Sequence, residues 1–418
     1  SKLLLEFPTA SIQILFGLIL LSFYHPAFIL FGILLVVILG TILYYTGARG
    51  LSTSIEESTQ KYSLAAWLEE MARGAKAFKF EPDGPILTQN SEQRTIRYLD
   101  KRTQHFRVLL FQYRILVFFK TTITAAMLLV GSILLLDQQL NIGQFIAAEI
   151  VILIVIGAVE KLIGNLDSVY DVLTSVDKMA KLTEKPEEQS GRLPMPWRKE
   201  GITIELQQLR FGFHPEQKIL EDVNGRIPSG GKACITGPDG SGKSTLLQLM
   251  GGIYTDFEGG LLYDGIPIAN YQIDTLRAQI GISLSGQHIF QGSVWENVTM
   301  GRTDITIEEL MEWTVALRFD KQLQEWPLGW DTPLSPLGSH LSGSTIRKIL
   351  LLRAMAKKPR LLLLEEPWRG CGEADRKAIQ DLLLHLPDSI TVVVVTSDAD
   401  FVARCPIRIE LNPASTNA

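Results

Sequence analysis

Residues 11–45 read SIQILFGLILLSFYHPAFILFGILLVVILGTILYY, 35 positions without an Asp, Glu, Lys or Arg. A single bilayer-spanning helix needs about 20 apolar residues. A run this long is too apolar for the buried helices of a water-soluble protein, and backbone groups in lipid must bond within their own segment. The run therefore reads as helices in a membrane. His25-Pro26 sits where a tight turn divides it into two, the first reaching back toward Leu3.

Two further spans follow at 114–136 and 142–163, joined by DQQLN at 137–141. Residues 46–112 hold ten Lys or Arg, and the short connections hold none. The positive-inside rule places 46–112 in the cytoplasm, with the polar C-terminal part on the same side. Glu149 lies within the fourth span, where a carboxylate is costly and must face a cavity or a partner. A role in a translocation path and a packed, hydrogen-bonded carboxyl both stay open. Arg114 and Lys120 are expected to extend toward the cytoplasmic interface.

Residues 46–112 carry helical periodicity beyond the bilayer, in two arms joined through EPDGPILTQN, with Asn90 or Ser91 as a candidate N-cap. The turn near EPDG, within 72–90, is the expected place of coupling to a cytoplasmic partner domain. TEKPEEQSGRLPMPWRKEG, rich in Pro, Gly and charge, reads as a linker. The expected organisation is a membrane domain over 1–182, a linker over 183–200 and a soluble domain over 201–418. The net charge of −5 gives no basic patch, so nucleic acid is not an expected partner. Cys234, Cys371 and Cys405 show no CxxC spacing, which supports neither a disulfide framework nor a zinc site.

Gly237-Pro238-Asp239-Gly240-Ser241-Gly242-Lys243-Ser244 matches G-x-x-x-x-G-K-[ST] between a short apolar strand, KACIT, and a helix beginning at Thr245. The glycines allow successive amides to face one hollow for phosphate oxygens, and the helix N-terminus adds positive partial charge. Lys243 is expected on the β- and γ-phosphates and Ser244 on Mg²⁺. In PRLLLLEEP, four leucines read as a central parallel strand, with Glu365 and Glu366 at its C-terminal end. One carboxylate can organise the metal while the next polarises a water.

With these motifs the whole chain resembles the ATP-binding cassette exporters: an all-α transmembrane domain fused to an α/β P-loop nucleotide-binding domain with a helical subdomain. GQFIAAEIVILIVIGAVEKLI resembles the branch that secretes peptides and proteins from bacteria. The family carries six spans per half, so the expectation is that two are missing from this chain. The resemblance implies ATP and Mg²⁺ as ligands, a homodimer or a heterodimer with another half-transporter, and the bacterial inner membrane. It also implies a periplasmic adaptor and an outer-membrane channel as partners.

Residue by residue, the resemblance makes Phe213 the adenine stacker and Glu366 the catalytic base. It assigns Gly237, Asp239, Gly240, Ser241, Gly242, Lys243, Ser244 and Thr245 to the nucleotide, and Ser244 and Glu365 to the metal. LSGST at 341–345 matches the signature that meets the other half's ATP through Ser342 and Gly343, with Ser344 in place of Gly. Ser285 holds the place of the family's glutamine, with Gln287 two residues on, and Ser397 that of the switch histidine. Glu365 replaces an Asp, RGCG at 369–372 replaces S-A-L-D, and Pro336 replaces an acidic residue. The parts that bind are retained and those that sense the γ-phosphate are altered. Two functions follow: an ATP-hydrolysing exporter with slow turnover, or a degenerate half that gates or stabilises a complex without significant hydrolysis.

Overall fold

A computed structural model describes residues 2–80, 85–214 and 217–412. The chain divides into two compact units, Ser1–Pro186 and Glu187–Ala418.

The first unit is helical: α1 Lys2–Tyr24, α2 Pro26–Arg73, α3 Ala75–Phe80, α4 Pro85–Leu136, α5 Ile142–Gly164 and α6 Leu166–Thr183. Among the described residues, four helices are long and apolar enough to cross a membrane: α1, α2, α4 and α5 continued by α6. The break after Tyr24 is local chemistry. Pro26 holds His25 in an extended conformation, and the His25 ring caps α2, its Nδ1 accepting from the Ala27 amide at 3.1 Å. Asn141 and Gln144 form a reciprocal capping box that starts α5.

Leu21, Phe28 and Leu35 from α1 and α2 pack in one core with Leu116, Ile123 and Met127 of α4 and Val155 and Ile156 of α5. Polar groups tie α2, α4 and α6 together. Gln112 donates to Thr46 Oγ1 at 2.7 Å and to the Tyr170 hydroxyl at 3.0 Å. His105, almost wholly buried, reaches Thr53 Oγ1 at 2.9 Å and Asp167 Oδ1 at 3.2 Å. Glu149 on α5 is half-buried. Lys120 donates to Glu160 of α5 at 2.9 Å.

The N-cap expected at Asn90 or Ser91 does not form. Helix α4 already runs from Pro85, whose fixed φ suits a helix start. Ser91 instead accepts from Trp67 Nε1 at 2.9 Å, joining the two arms. The EPDG turn at 81–84 lies outside the described residues.

The second unit holds two principal sheets. Strands β1 Ile204–His214, β2 Gln217–Ile227, β4 Glu258–Tyr263 and β5 Ile266–Pro267 form an antiparallel sheet in the order β2-β1-β4-β5. Strands β3 Lys232–Thr236, β6 Ile280–Ser283, β9 Leu361–Glu365, β10 Thr391–Val395 and β11 Ile407–Glu410 form a parallel sheet in the order β11-β3-β10-β9-β6. The rest comprises α7 Lys243–Met250, α8 Ile273–Ala278, β7 Gly292–Ser293, α9 Val294–Thr299, α10 Ile307–Ala316, α11 Asp320–Glu325, β8 Pro333–Leu334, α12 Gly343–Ala356, α13 Glu373–Leu384 and α14 Ala399–Arg404.

The leucine run is a central strand because both of its faces are covered. Leu361 and Leu363 enter the core shared with α7 and the antiparallel sheet, while Leu362 and Leu364 enter the core shared with α12. Alternating side chains thus all need to be apolar. Residues 188–195 lie along the second unit: the Gly191 amide donates to Tyr271 O at 2.9 Å, and Met195 is buried.

Arg360 stands at the start of β9 and is 1% exposed. Its guanidinium donates to Glu200 O at 2.7 Å, Asp264 Oδ2 at 2.8 Å and Gln279 Oε1 at 3.0 Å. Replacing it with Met strands the Asp264 carboxylate, a loss of about 3 kcal/mol or more. Urea unfolding of purified full-length Arg360→Met, followed by tryptophan fluorescence, is expected to show an earlier transition; an unchanged midpoint would contradict this account of the residue.

Candidate nucleotide-binding site

The loop between β3 and α7 is shaped by backbone conformations that a side chain would obstruct. Gly242 has φ +85°, and a Cβ there would lie 2.6 Å from Leu220 Cδ2. Gly237 has φ +146°, and a Cβ there would lie 2.4 Å from Leu411 O. Side chains are therefore excluded at both positions. No side chain caps α7, whose N-terminus opens at Gly242. Ser241 is 1% exposed, and its hydroxyl has no hydrogen-bond partner. Lys243 folds over the loop, donating to Gly237 O at 2.7 Å and Pro238 O at 2.8 Å.

This loop borders a cavity of about 730 Å³. Asp239, Gly240, Gly242, Lys243, Ser244 and Thr245 line one wall, and Ser285, Glu365, Glu366, Arg369 and Ser397 line the others. The sheet brings them together because β3, β9 and β10 run parallel and end in register, with Val395 paired to Ile235 and Glu365. Glu365 is held at both oxygens: Ser244 Oγ donates to one at 2.5 Å, and the Ser285 amide donates to the other at 2.8 Å.

Glu366 adopts a left-handed φ of +42°, a conformation that costs a non-glycine residue about 1 kcal/mol. Its amide donates to Val395 O at 2.9 Å. Its carboxylate accepts from the Ser397 amide at 3.0 Å and from Thr396 Oγ1 at 3.3 Å. Position 397 thus reaches Glu366 through its main chain, a contact no side-chain motif encodes.

Several expected residues lie elsewhere. Phe213, on β1 and 51% exposed, does not line the cavity; its ring packs edge-on against Phe211 and Tyr254 at 5.1 and 5.4 Å between centroids. Gln287 does not line it either, and its buried Oε1 has no partner. Ser285 lines the cavity and contributes its amide, not a glutamine-like side chain. The LSGST segment is apart from the cavity lining, with Ser342 and Gly343 exposed. The Ser342 hydroxyl caps α12, accepting from the Thr345 amide at 3.1 Å. Arg369 is a lining residue that sequence reading did not single out; the RGCG replacement was visible, but the direction of its arginine was not.

Ser344, which stands in place of the family's glycine, is accommodated within its own unit. Its hydroxyl donates to Asp375 Oδ2 at 2.9 Å, and that carboxylate pairs with buried Lys348 at 2.9 Å. Asp375 sits below its ordinary pKa: burial opposes ionisation, and Lys348 and Ser344 more than offset it.

Comparison with known proteins agrees with this geometry. Residues 220–369 match the ABC transporter family model. The chain is 33% identical over 188 residues to the mitochondrial iron-sulfur clusters transporter ATM1 of Saccharomyces cerevisiae, a match covering 45% of this chain and 27% of that protein. It is 30% identical over 210 residues to heavy metal tolerance factor 1 of Caenorhabditis elegans, covering 50% and 26%. These matches span about a quarter of each relative's length. A solved bacterial Atm1-family ABC exporter with ATP bound superposes with a TM-score of 0.87 at 17% identity, covering 99% of this chain and 73% of that one. The fold is that of an ABC exporter: apolar membrane-length helices followed by an α/β nucleotide-binding unit. Within that fold, the segment 220–369 that matches the ABC transporter model carries the cradle, Ser285 and the Glu365–Glu366 pair of the cavity.

The Ser344–Asp375–Lys348 cluster makes a graded test. Ser344→Ala removes one hydrogen bond and leaves the ion pair, a loss of about 1 kcal/mol. Asp375→Leu strands buried Lys348, a loss of about 3 kcal/mol. Because the Asp375 pKa is depressed on folding, its contribution is complete above the ordinary aspartate value of about 3.9 and is lost as pH falls below it. Denaturant titrations at pH 7 should rank the variants in this order, and equal losses would break the assignment.

Proposed function

We propose that this chain is a half-transporter that works as a dimer, of itself or with a related half, and uses ATP to drive export across a membrane. One observation carries the reading: Lys243, Ser244, Glu365 and Glu366 converge on one cavity, while Ser342 and Gly343 stand exposed outside it. A signature turned away from its own cradle is available to a nucleotide held by another copy. Such a sandwich supplies the second set of donors that the first cavity lacks. Phe213, exposed beside Tyr254, is proposed as the surface on which adenine stacks.

Mg²⁺ fits the donors present. The Ser244 hydroxyl and the Glu365 carboxylate, already in contact, are the hard oxygen ligands that magnesium takes together with phosphates. They would hold the ion, which when bound neutralises charge on the phosphate oxygens. Glu366, held by the Ser397 amide, would serve as the base for water.

Hydrolysis is proposed to be slow. The Ser397 side chain is shorter than a histidine and uncharged, and loss of one transition-state donor costs about 10²–10³ in rate. If turnover is low enough, ATP acts chiefly as a clamp that stabilises the closed dimer. Lys and Arg in 46–112 support a cytoplasmic side for the nucleotide-binding unit; the bacterial inner membrane rests on the sequence resemblance alone, and one relative is mitochondrial. The peptide or protein cargo implied by sequence resemblance stands against the iron-sulfur clusters and heavy metals named for the two relatives. The adaptor and the outer-membrane channel form no part of the proposal.

Full-length protein reconstituted in lipid tests the proposal. Wild type should bind ATP with Mg²⁺ and hydrolyse it slowly, Lys243→Ala should lose binding, and Glu366→Gln should bind without turnover. Turnover stimulated by peptides, as against metal-loaded thiols, separates the two cargo classes. Fast turnover that depends on Glu366 rejects the slow-hydrolysis reading, and absence of ATP binding by wild type rejects the function.

A further inference from the structure

The cavity has two cationic side chains in its wall, Lys243 and Arg369. Lys243 is engaged with the loop carbonyls and lies 3.7 Å from Asp239 Oδ1. Arg369 is exposed and makes no side-chain hydrogen bond or ion pair among the described residues. The acids that share the cavity do not claim it, because Glu365 and Glu366 are occupied by Ser244, Ser285, Thr396 and Ser397.

The backbone that carries Arg369 is fixed. Its amide donates to Glu366 O at 3.0 Å, and the Cys371 amide donates to Trp368 O at 3.0 Å. Trp368 is 5% exposed and packs on Phe401 with ring centroids 4.8 Å apart. A buried indole therefore anchors a tight turn one residue before the arginine, and the base Glu366 is three residues before it. The same cavity wall includes Ser397, whose hydroxyl is short and neutral.

We propose that Arg369 is the γ-phosphate-recognising residue of this site, supplying from the turn after β9 a contact to bound ATP that replaces only in part the donor lost at position 397. The inference rests on the reading of the cavity as an ATP site. The guanidinium presents planar, permanently charged donors that match phosphate oxygens. It shares the cavity with Glu366, the proposed base, and its amide bonds the Glu366 carbonyl, so its side chain is assigned to the phosphate nearest that base, the terminal one, which ADP does not have. ATP is thereby distinguished from ADP by a contact made within one chain. The RGCG loop is then a change of role: a segment expected to communicate between sites instead equips its own.

The test measures ATP and ADP affinities separately, by displacement of a fluorescent ATP analogue from full-length protein in lipid nanodiscs. Charged hydrogen bonds of this kind are worth about 10–100-fold in affinity. Arg369→Ala is expected to weaken ATP by that factor and to leave ADP within about twofold, collapsing the preference for ATP. Arg369→Lys should recover part of it, since the charge remains and the fork is lost. In single-turnover assays at saturating ATP, Arg369→Ala should also lower the hydrolysis rate. An Arg369→Ala protein that keeps the wild-type ratio of ATP to ADP affinity overturns the assignment and leaves the proposed function standing. A wild type that binds neither nucleotide removes both.

Discussion

The nucleotide-binding unit depends on one carboxylate at the end of a covered strand. Glu365 terminates β9 at 9% exposure, and each of its oxygens bonds a different element: the helix after the cradle through Ser244, and the segment after β6 through the Ser285 amide. A charge so far from solvent persists only because both oxygens are satisfied. The parallel register brings the partners within reach, since β3, β9 and β10 end together. The cavity is therefore a consequence of sheet order: three adjacent strand ends supply the cradle, the acid pair and position 397.

Around that arrangement the departures from the exporter pattern fall into two kinds. Some are absorbed locally. Ser344 exchanges a glycine's freedom for a bond to Asp375, which places a hydroxyl–carboxylate–ammonium chain beneath the start of α12. That chain ties the first turns of α12 to α13. Others change what the cavity presents. Ser397 loses a ring but keeps an amide, and that amide holds Glu366. The Glu366 carboxylate is held by main chain, so that contact does not depend on which side chain stands at 397.

Much of this was legible in the residues, for physical reasons that differ by element. The charge-free run gave its helices away because lipid permits little else, and His25-Pro26 marked the break because proline constrains its predecessor. The glycine spacing of the cradle was readable because side chains collide at Gly237 and Gly242. The start of α4 was misplaced because Asn90 and Ser91 resemble caps, whereas Pro85 is the residue whose geometry begins the helix. The pairing of Lys120 with Glu160 was not legible because the two lie 40 residues apart. Phe213 was legible as an exposed aromatic of the motif, while its edge-on packing with Phe211 and Tyr254 was not. The contacts of Ser285 and Ser397 were invisible because amides carry no residue identity.

The direction of Arg369 belongs to the same class of hidden information, and it bears on how the acid pair can work. Glu365 and Glu366 bring two negative charges to a cavity meant for a polyanion, and Lys243 alone does not balance them. A second permanent cation on the wall shifts that balance without raising the charge of the buried strand end, because Arg369 is exposed while Glu365 is not. Placing it on a turn pinned by Trp368 confines the entropy loss on binding to the side chain. An arginine free in solvent and fixed at its backbone can remain unpaired until a phosphate arrives, so the contact contributes to recognition of the ligand and not to the stability of the fold.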